Sequence, residues 1–335
     1  MANLHDVKRR IQAYLSAMAL TYGVESTKEF FAITSPIDTQ LRDALMHSVQ
    51  FLGQINMQHV DQIAGQVVVT GTPGIYTGRS STGRFNRELG NSGNTYELNE
   101  MDSGSYLPYK TLVAWANAGS DQEFINRIQA FSNKSFALDI LRIGFNGLRA
   151  DPDTDPVANP LGEDVAPGWH KIVEDRSPIQ IVKDPITLDR SAPPTSGGNY
   201  VSLDAIVTDI KMNLIIESER ENPDLVALIG ADLIGADATS LMNRIDRPTE
   251  KVAAQLINRE VGGLKAYSPP YFKPGCVTVT SLWNLHHYVQ QGTEMRKAEW
   301  VDDRKRFENN YLRMAGYAVE YDELYGSFDN ITAVA

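Results

Sequence analysis

Asp121 to Asn146, DQEFINRIQAFSNKSFALDILRIGFN, is a proline-free run with a late glycine at Gly144. Phe124, Ile125, Ile128, Phe131, Phe136, Leu138, Ile140, Leu141 and Phe145 fall mostly three or four residues apart. That spacing predicts an amphipathic helix with a wide apolar stripe. Ser120 and Asp121 stand where an N-cap belongs, and Glu123 completes a Ser-x-x-Glu capping box. Gly147 closes the run as a C′ glycine would. At 1.5 Å per residue this helix is about 39 Å long, the span of a small domain. Among otherwise short elements it is the spine of the chain.

Working outward, Asp6–Tyr22 places Val7, Ile11, Tyr14, Leu15, Met18 and Tyr22 on one helical face, with Lys8, Arg9 and Arg10 at its start. The three cations read either as a solvated helix start or as a contact for an acidic partner. A second helix is expected over Asp38–Phe51, after Pro36. Little between them could form a core, so this region reads as an arm that packs on something else. Gln66–Thr72 is β-branched and extended, and Gly71–Asn94, GTPGIYTGRSSTGRFNRELGNSGN, then holds six glycines and few apolar side chains. Extended runs on either side make it a projecting hairpin. A structureless segment of this length is usually functional or disordered. Arg79, Arg84 and Arg87 oppose only Glu88 there, which suits the loop to a neighbour's carboxylates.

Tyr109–Asn117 reads as a short helix feeding the long one. Asp151–Gly198, rich in proline and acids, reads as a surface excursion and hinge with a helix around Trp169–Glu174 and a strand at Ile179–Val182. A second compact unit follows over Tyr200–Gln290. Ser202 caps a helix with Leu203, Ile206, Val207, Ile210 and Leu214 on its core face. Leu225–Gly230 is a buried strand, helices are expected near Ala231–Ile245 and Glu250–Asn258, and strands at Cys276–Thr280 and Leu285–Gln290. Gly316–Glu323 alternates with period two, as a half-buried strand does.

Composition narrows the function. The 335 residues suffice for two subdomains, and 42% apolar with 22% charged residues is ordinary for a globular chain. A net charge of -11 argues against nucleic-acid binding through a basic surface. The single cysteine, Cys276, excludes an intrachain disulfide and reads as a small buried hydrophobe. No apolar run reaches the roughly 18 residues of a membrane span, and no signal peptide is expected, so the reading is a soluble chain made in the cytoplasm.

Chemical motifs are weak. Pro73–Ser80, PGIYTGRS, has proline where a phosphate-binding loop needs its first glycine, and Arg79 in place of the lysine. His286 and His287 are adjacent, so on a strand they face opposite ways. His47, His59 and His170 have no His or Cys at ligand spacing. Asp151, Asp153 and Asp155 alternate like a calcium loop, but Pro156 and Gly162 stand where its glycine and glutamate belong. No catalytic residue, cofactor site or metal site is expected.

Six stretches, in one order, carry a family resemblance: AYLSAMALTYGV (Ala13–Val24), YKTLVAWA (Tyr109–Ala116), GFNG (Gly144–Gly147), DVAPGW (Asp164–Trp169), YVSLDAIVTDIKMNLI (Tyr200–Ile216) and NPDLVALIG (Asn222–Gly230). Together they resemble the major capsid proteins of peduovirus-type (P2-type) contractile-tailed phages. The resemblance runs patchily over residues 10 to 325 and is least over Asp151–Gly198 and the glycine-rich loop.

It implies an α+β, HK97-like capsid fold with five parts. These are an N-terminal arm (1–61), an E-loop hairpin (62–107), a peripheral domain (108–199) with spine helix 121–146 and hinge 151–198, an axial domain (200–299), and a return to the peripheral sheet with a tail (300–335). It further implies a structural, non-enzymatic role. Hexamers and pentamers would close into an icosahedral virion shell around double-stranded DNA, held without sequence-specific binding and assembled in the host cytoplasm. Portal, scaffold or protease, and decoration proteins are the implied partners. Lys8, Arg9, Arg10, Arg79, Arg84, Phe85 and Arg87 are the expected contacts between subunits. Some capsids of this fold crosslink through an E-loop lysine; Gly71–Asn94 has none, so no isopeptide bond from this loop is expected. Two alternatives stand beside this reading: an encapsulin-like compartment of the same fold, and an α/β enzyme with its site at the Leu225–Gly230 strand end.

Overall fold

The computed structural model describes residues 4–67, 77–82, 84, 94–117, 120–189, 199–235 and 260–334. The chain divides into two compact units, one of residues 1–63, 98–168 and 287–316, the other of 64–97, 169–286 and 317–335. Most of Gly71–Asn94, including Phe85 and Arg87, lies outside the described residues, as does the helix expected at Glu250–Asn258.

In the first unit the long helix spans Asp121–Asn146, the expected bounds. Ser120 accepts from the Glu123 amide and the Glu123 carboxylate accepts from the Ser120 amide, so the capping box is complete. The buried stripe is narrower than the sequence implies: Phe124, Ile128, Ser132, Phe136, Ile140, Leu141 and Phe145 face inward, while Phe131 is exposed. Helices Leu4–Tyr22 and Tyr109–Asn117 share one core with the first half of this stripe, through Val7, Ile11, Tyr14, Leu15, Leu112, Ala116, Phe124 and Ile128. Helix Ser35–Ser48 packs on the long helix too, starting three residues before the expected Asp38 because Pro36 suits a first turn.

Among the described residues, what the first helix packs on is its own unit. Its apolar face already has a cover, with Tyr14 edge-on to Phe307 at 5.7 Å.

Gly147 also needs a different account. Its φ of -60° is not left-handed. A Cβ there would stand 1.9 Å from the Ala166 carbonyl oxygen, and one on Gly168 would stand 2.4 Å from that of Gly144. Glycine is required because two backbones touch, and the Gly168 amide donates to Gly147 O at 3.0 Å across that contact.

The sheet of this unit runs Phe31–Ala32, Met295–Val301, Arg306–Val319, Leu285–Gln290, Asn56–Val60. Asn99–Pro108 also pairs with Arg306–Val319, from Asn99↔Ala315 to Pro108↔Arg306. The strand foreseen at Gly316–Glu323 thus begins ten residues earlier, at Arg306. Its inward positions, Phe307, Asn309, Tyr311 and Arg313, alternate apolar with polar side chains, which hides the period of two. Leu285–Gln290 has the expected bounds and stands in this order, not in the order that holds Leu225–Ile229.

The second unit holds a mixed six-stranded sheet in the order Ile181–Val182, Tyr325–Phe328, Val277–Ser281, Leu225–Ile229, Leu264–Tyr267, Glu260–Val261. Its two central strands are buried at every position, in line with the apolar run Leu225–Ile229 and the β-branched run Val277–Thr280. Helix Leu203–Asn213 lies on it, capped by Ser202 Oγ accepting from the Ala205 amide, with Leu203, Ile206, Val207 and Ile210 buried and Leu214 half-buried. Gly326 admits the helix, since a Cβ there would meet Leu214 Cβ at 2.8 Å. Gly262 and Gly263, both at positive φ, turn the hairpin between the last two strands of that order. Helix Trp169–Arg176 and a short turn of helix, Pro178–Gln180, replace the expected helix at 169–174 and the start of the strand at 179.

Gly147→Ala is expected to lower stability by about 1–3 kcal/mol through overpacking against Ala166. Gly53→Ala, where the nearest atom would be 3.5 Å away, is expected to be near neutral. Urea unfolding of the two variants beside the parent chain measures the difference.

Candidate functional site

Two buried polar clusters among the described residues bring acid–base or ligand-type side chains together. In the second unit Asp329 is the hub. Its Oδ2 lies 2.9 Å from His170 Nε2, and its Oδ1 accepts from Cys276 Sγ at 3.0 Å and Ser327 Oγ at 2.9 Å. Behind them Thr278 Oγ1 meets Ser327 Oγ at 3.0 Å, and Tyr325 OH meets His170 Nδ1 at 3.1 Å. Burial pushes the Asp329 carboxyl up, but the hydrogen bonds from His170, Cys276 and Ser327 outweigh it and hold it well below the usual carboxylate range. Burial, then the adjacent Asp329 charge, pushes the Cys276 thiol far above its ordinary value. Cysteine, histidine and aspartate are together, yet the carboxylate sits between the other two and the thiolate is suppressed. This is a satisfied core network rather than a nucleophile with its base.

In the first unit Asp38, His59 and Glu294 converge, with Nδ1 of His59 3.2 Å from Asp38 Oδ2 and 3.9 Å from Glu294 Oε2. Despite these distances that Nδ1, shut off from water, makes no hydrogen bond with acceptable angles. Tyr311 OH donates to the other oxygen of Glu294. Burial, then the hydrogen bond with Asp38, pushes the Glu294 carboxyl up to about 8. His59 is lowered, by burial first. Sequence spacing could not find this cluster, because its members sit far apart in the chain on a helix, a strand and a turn.

Other candidates are used up structurally. His287 is buried in the first unit, where burial, Arg313 and His59 lower it to about 3. His286, in the second, lies 3.3 Å from Glu320 Oε2 and is lowered by burial to about 4. Asp155 Oδ1 accepts from the amides of Val157 at 2.8 Å and Ala158 at 3.2 Å, and Asp164 Oδ2 accepts from the Asp155 amide at 2.7 Å. The carboxylates at 155 and 164 close a turn. Pro73–Tyr76 lies outside the described residues.

Of the expected contact residues, Lys8 pairs with Asp302, Arg10 Nε lies 2.9 Å from Asp121 Oδ1, and Arg9 Nη2 lies 3.9 Å from Asp121 Oδ2. All three cations lie beside a carboxylate of their own unit. Arg79 and Arg84 are exposed and pair with no described carboxylate. Among the described residues no helix is long and apolar enough to cross a membrane.

Comparison with known proteins gives these two units a class. The chain resembles one chain of the satellite phage P4 procapsid that includes the size determination (Sid) protein, with a TM-score of 0.76 and 26% identity over 99% of both chains. A cyanophage A-1(L) capsid chain shares the fold at a TM-score of 0.50 and 12% identity, over 85% of this chain and 93% of that one. The fold is thus the HK97-like α+β capsid fold.

The family model for the phage major capsid protein, P2 family, matches residues 10–331, and the chain belongs to that family. It is 29% identical over 331 residues to the capsid proteins of Escherichia phage P2, covering 94% of this chain and 91% of that protein. The Serratia phage KSP20 major capsid protein is 28% identical over 305 residues, 88% and 84% of the two chains. The family match carries the phage-capsid reading over the encapsulin-like and α/β-enzyme alternatives.

Asp329→Asn is expected to cost about 1–3 kcal/mol at neutral pH, because it weakens a charge-assisted buried network. A depressed folded-state pKa contributes stability that is present above the unfolded value of about 3.9 and is lost as pH falls through the folded one. The gap between parent and variant therefore narrows below about pH 4, which urea midpoints recorded against pH measure directly.

Proposed function

We propose that copies of this chain form hexamers and pentamers that tile an icosahedral virion shell around double-stranded DNA. Membership of the P2 capsid family across residues 10–331 is the observation that carries this reading. The likeness to the P4 procapsid chain over 99% of both chains supports it.

A heterologous contact repeated about an axis closes into a ring. In this reading residues 200–299 point to the ring centre as an axial domain, and 108–199 with the returning 300–335 form the periphery. Residues 62–107 reach across a neighbour. Lys8, Arg9 and Arg10 already have partners within the chain, so the reach rests on Arg79 and Arg84, with Phe85 and Arg87 beside them. Exposed cations on a chain of net charge -11 find carboxylates on any sister copy. Each exposed pair contributes only about 0.2–1 kcal/mol, but many contacts in a closed shell add through avidity. The same acidic charge keeps an inner wall from trapping packaged DNA. A portal, a scaffold or protease, a decoration protein and assembly in the host cytoplasm belong to the same proposal.

Negative-stain images of the chain produced with its scaffold are expected to show closed shells. The double reversal Arg79→Glu, Arg84→Glu is expected to reduce shell yield about ten-fold or more by placing like charges together, with subunit unfolding unchanged. Monomers or dimers at every concentration would overturn the reading.

A further inference from the structure

The cluster at Asp38, His59 and Glu294 has a geometry that its structural role does not explain. Asp38 lies in the first turn of helix Ser35–Ser48, His59 on strand Asn56–Val60, and Glu294 in the turn before strand Met295–Val301. One ligand-type atom from each lies within 4.8 Å of the others. We propose that these three side chains bind a divalent transition-metal ion of the zinc type.

Bond lengths of about 2.0–2.2 Å in a tetrahedral zinc site place ligand atoms about 3.3 Å apart. The distances from His59 Nδ1 to the two carboxylates, 3.2 and 3.9 Å, bracket that value. Small side-chain rotations bring all three onto one ion. The ring nitrogen is the second observation. It is shut off from water and hydrogen-bonded to neither carboxylate, an arrangement that an ion between them satisfies and a simple ion pair does not. A cavity of about 20 Å³ adjoins His59 and Glu294, enough for the single water that completes four-coordination. Tyr311 OH holds the remaining oxygen of Glu294, as outer hydrogen bonds orient metal-ligating carboxylates.

Arg313 also lines the cavity, but its guanidinium is engaged with Ser103 Oγ at 2.9 Å and lies over the Tyr311 ring at 4.6 Å. Arg42 lines it as well and opposes a cation, so the affinity is set against its charge. One imidazole and two carboxylates without a thiolate favour zinc-class ions over soft copper(I).

The ion would tie segments from both ends of the chain, a long-loop closure in a protein whose single cysteine cannot form an internal disulfide. This inference concerns the subunit alone and stands whether or not shells form.

The test is a Co2+ titration of the chelator-stripped full-length chain, followed by visible absorption. Saturable d–d bands at about one ion per chain, bleached by Zn2+ and unmoved by excess Mg2+, are expected. Affinity should fall about ten-fold or more in His59→Gln and Glu294→Gln, and about ten-fold in Tyr311→Phe. Absence of saturable bands in the parent chain overturns the proposal, whatever the variants do. So do bands that persist at parent affinity in a folded His59→Gln or Glu294→Gln chain.

Discussion

An apolar stripe along a helix of 26 residues has to be covered, and in the first unit everything follows from what covers it. Phe124 and Ile128 are met by Val7, Ile11 and Tyr14 from the start of the chain, by Leu112 and Ala116 from the preceding helix, and by Phe307 from a strand near the other end. The valine, isoleucine, leucine and phenylalanine side chains among these each gain about 1.5–3 kcal/mol on full burial. The first helix is thus a wall of this core, held also by Lys8 on Asp302 and Arg10 on Asp121.

Polar groups inside both units extend that argument. Arg296 is buried, donating to Tyr22 OH at 2.8 Å and Asn309 Oδ1 at 3.3 Å. Asp329 gathers three donors in the second unit. Such groups add little net stability but penalise every packing that leaves them unpaired. What resembles chemistry in isolation, a cysteine beside an aspartate and a histidine, is here specification of a unique fold. The family membership of the chain makes sense of a protein that invests its titratable groups in architecture.

How legible this was in the sequence differs by element. The long helix with its capping box and the Ser202-capped helix were readable because each rests on local periodicity and a local cap. The buried strand at Leu225–Ile229 was readable as an unbroken apolar run. Arg306–Gly316 was not, because Asn309 and Arg313 occupy inward positions that only distant partners make tolerable. The hairpin at Gly262-Gly263 carries a turn signal in its two adjacent glycines. At Gly147 a helix-end reading picks out the residue but not its cause, because the Ala166 backbone that approaches it is invisible to local reasoning. The Asp38, His59, Glu294 cluster was out of reach altogether, since its members come together only through sheet and helix packing. Of the expected contact residues, the sequence singled out the cations but could not say that three of them are satisfied at home.

The central claim is that the first helix belongs to the core of its own chain. Hydrogen–deuterium exchange on the dissociated, dilute subunit tests it most directly. The account predicts that amides across Val7–Met18 are protected comparably to those across Phe124–Ile140, since both sides of one core open together. Exchange of Val7–Met18 at open-chain rates, with the long helix still protected, would contradict it and return the arm to a neighbouring subunit.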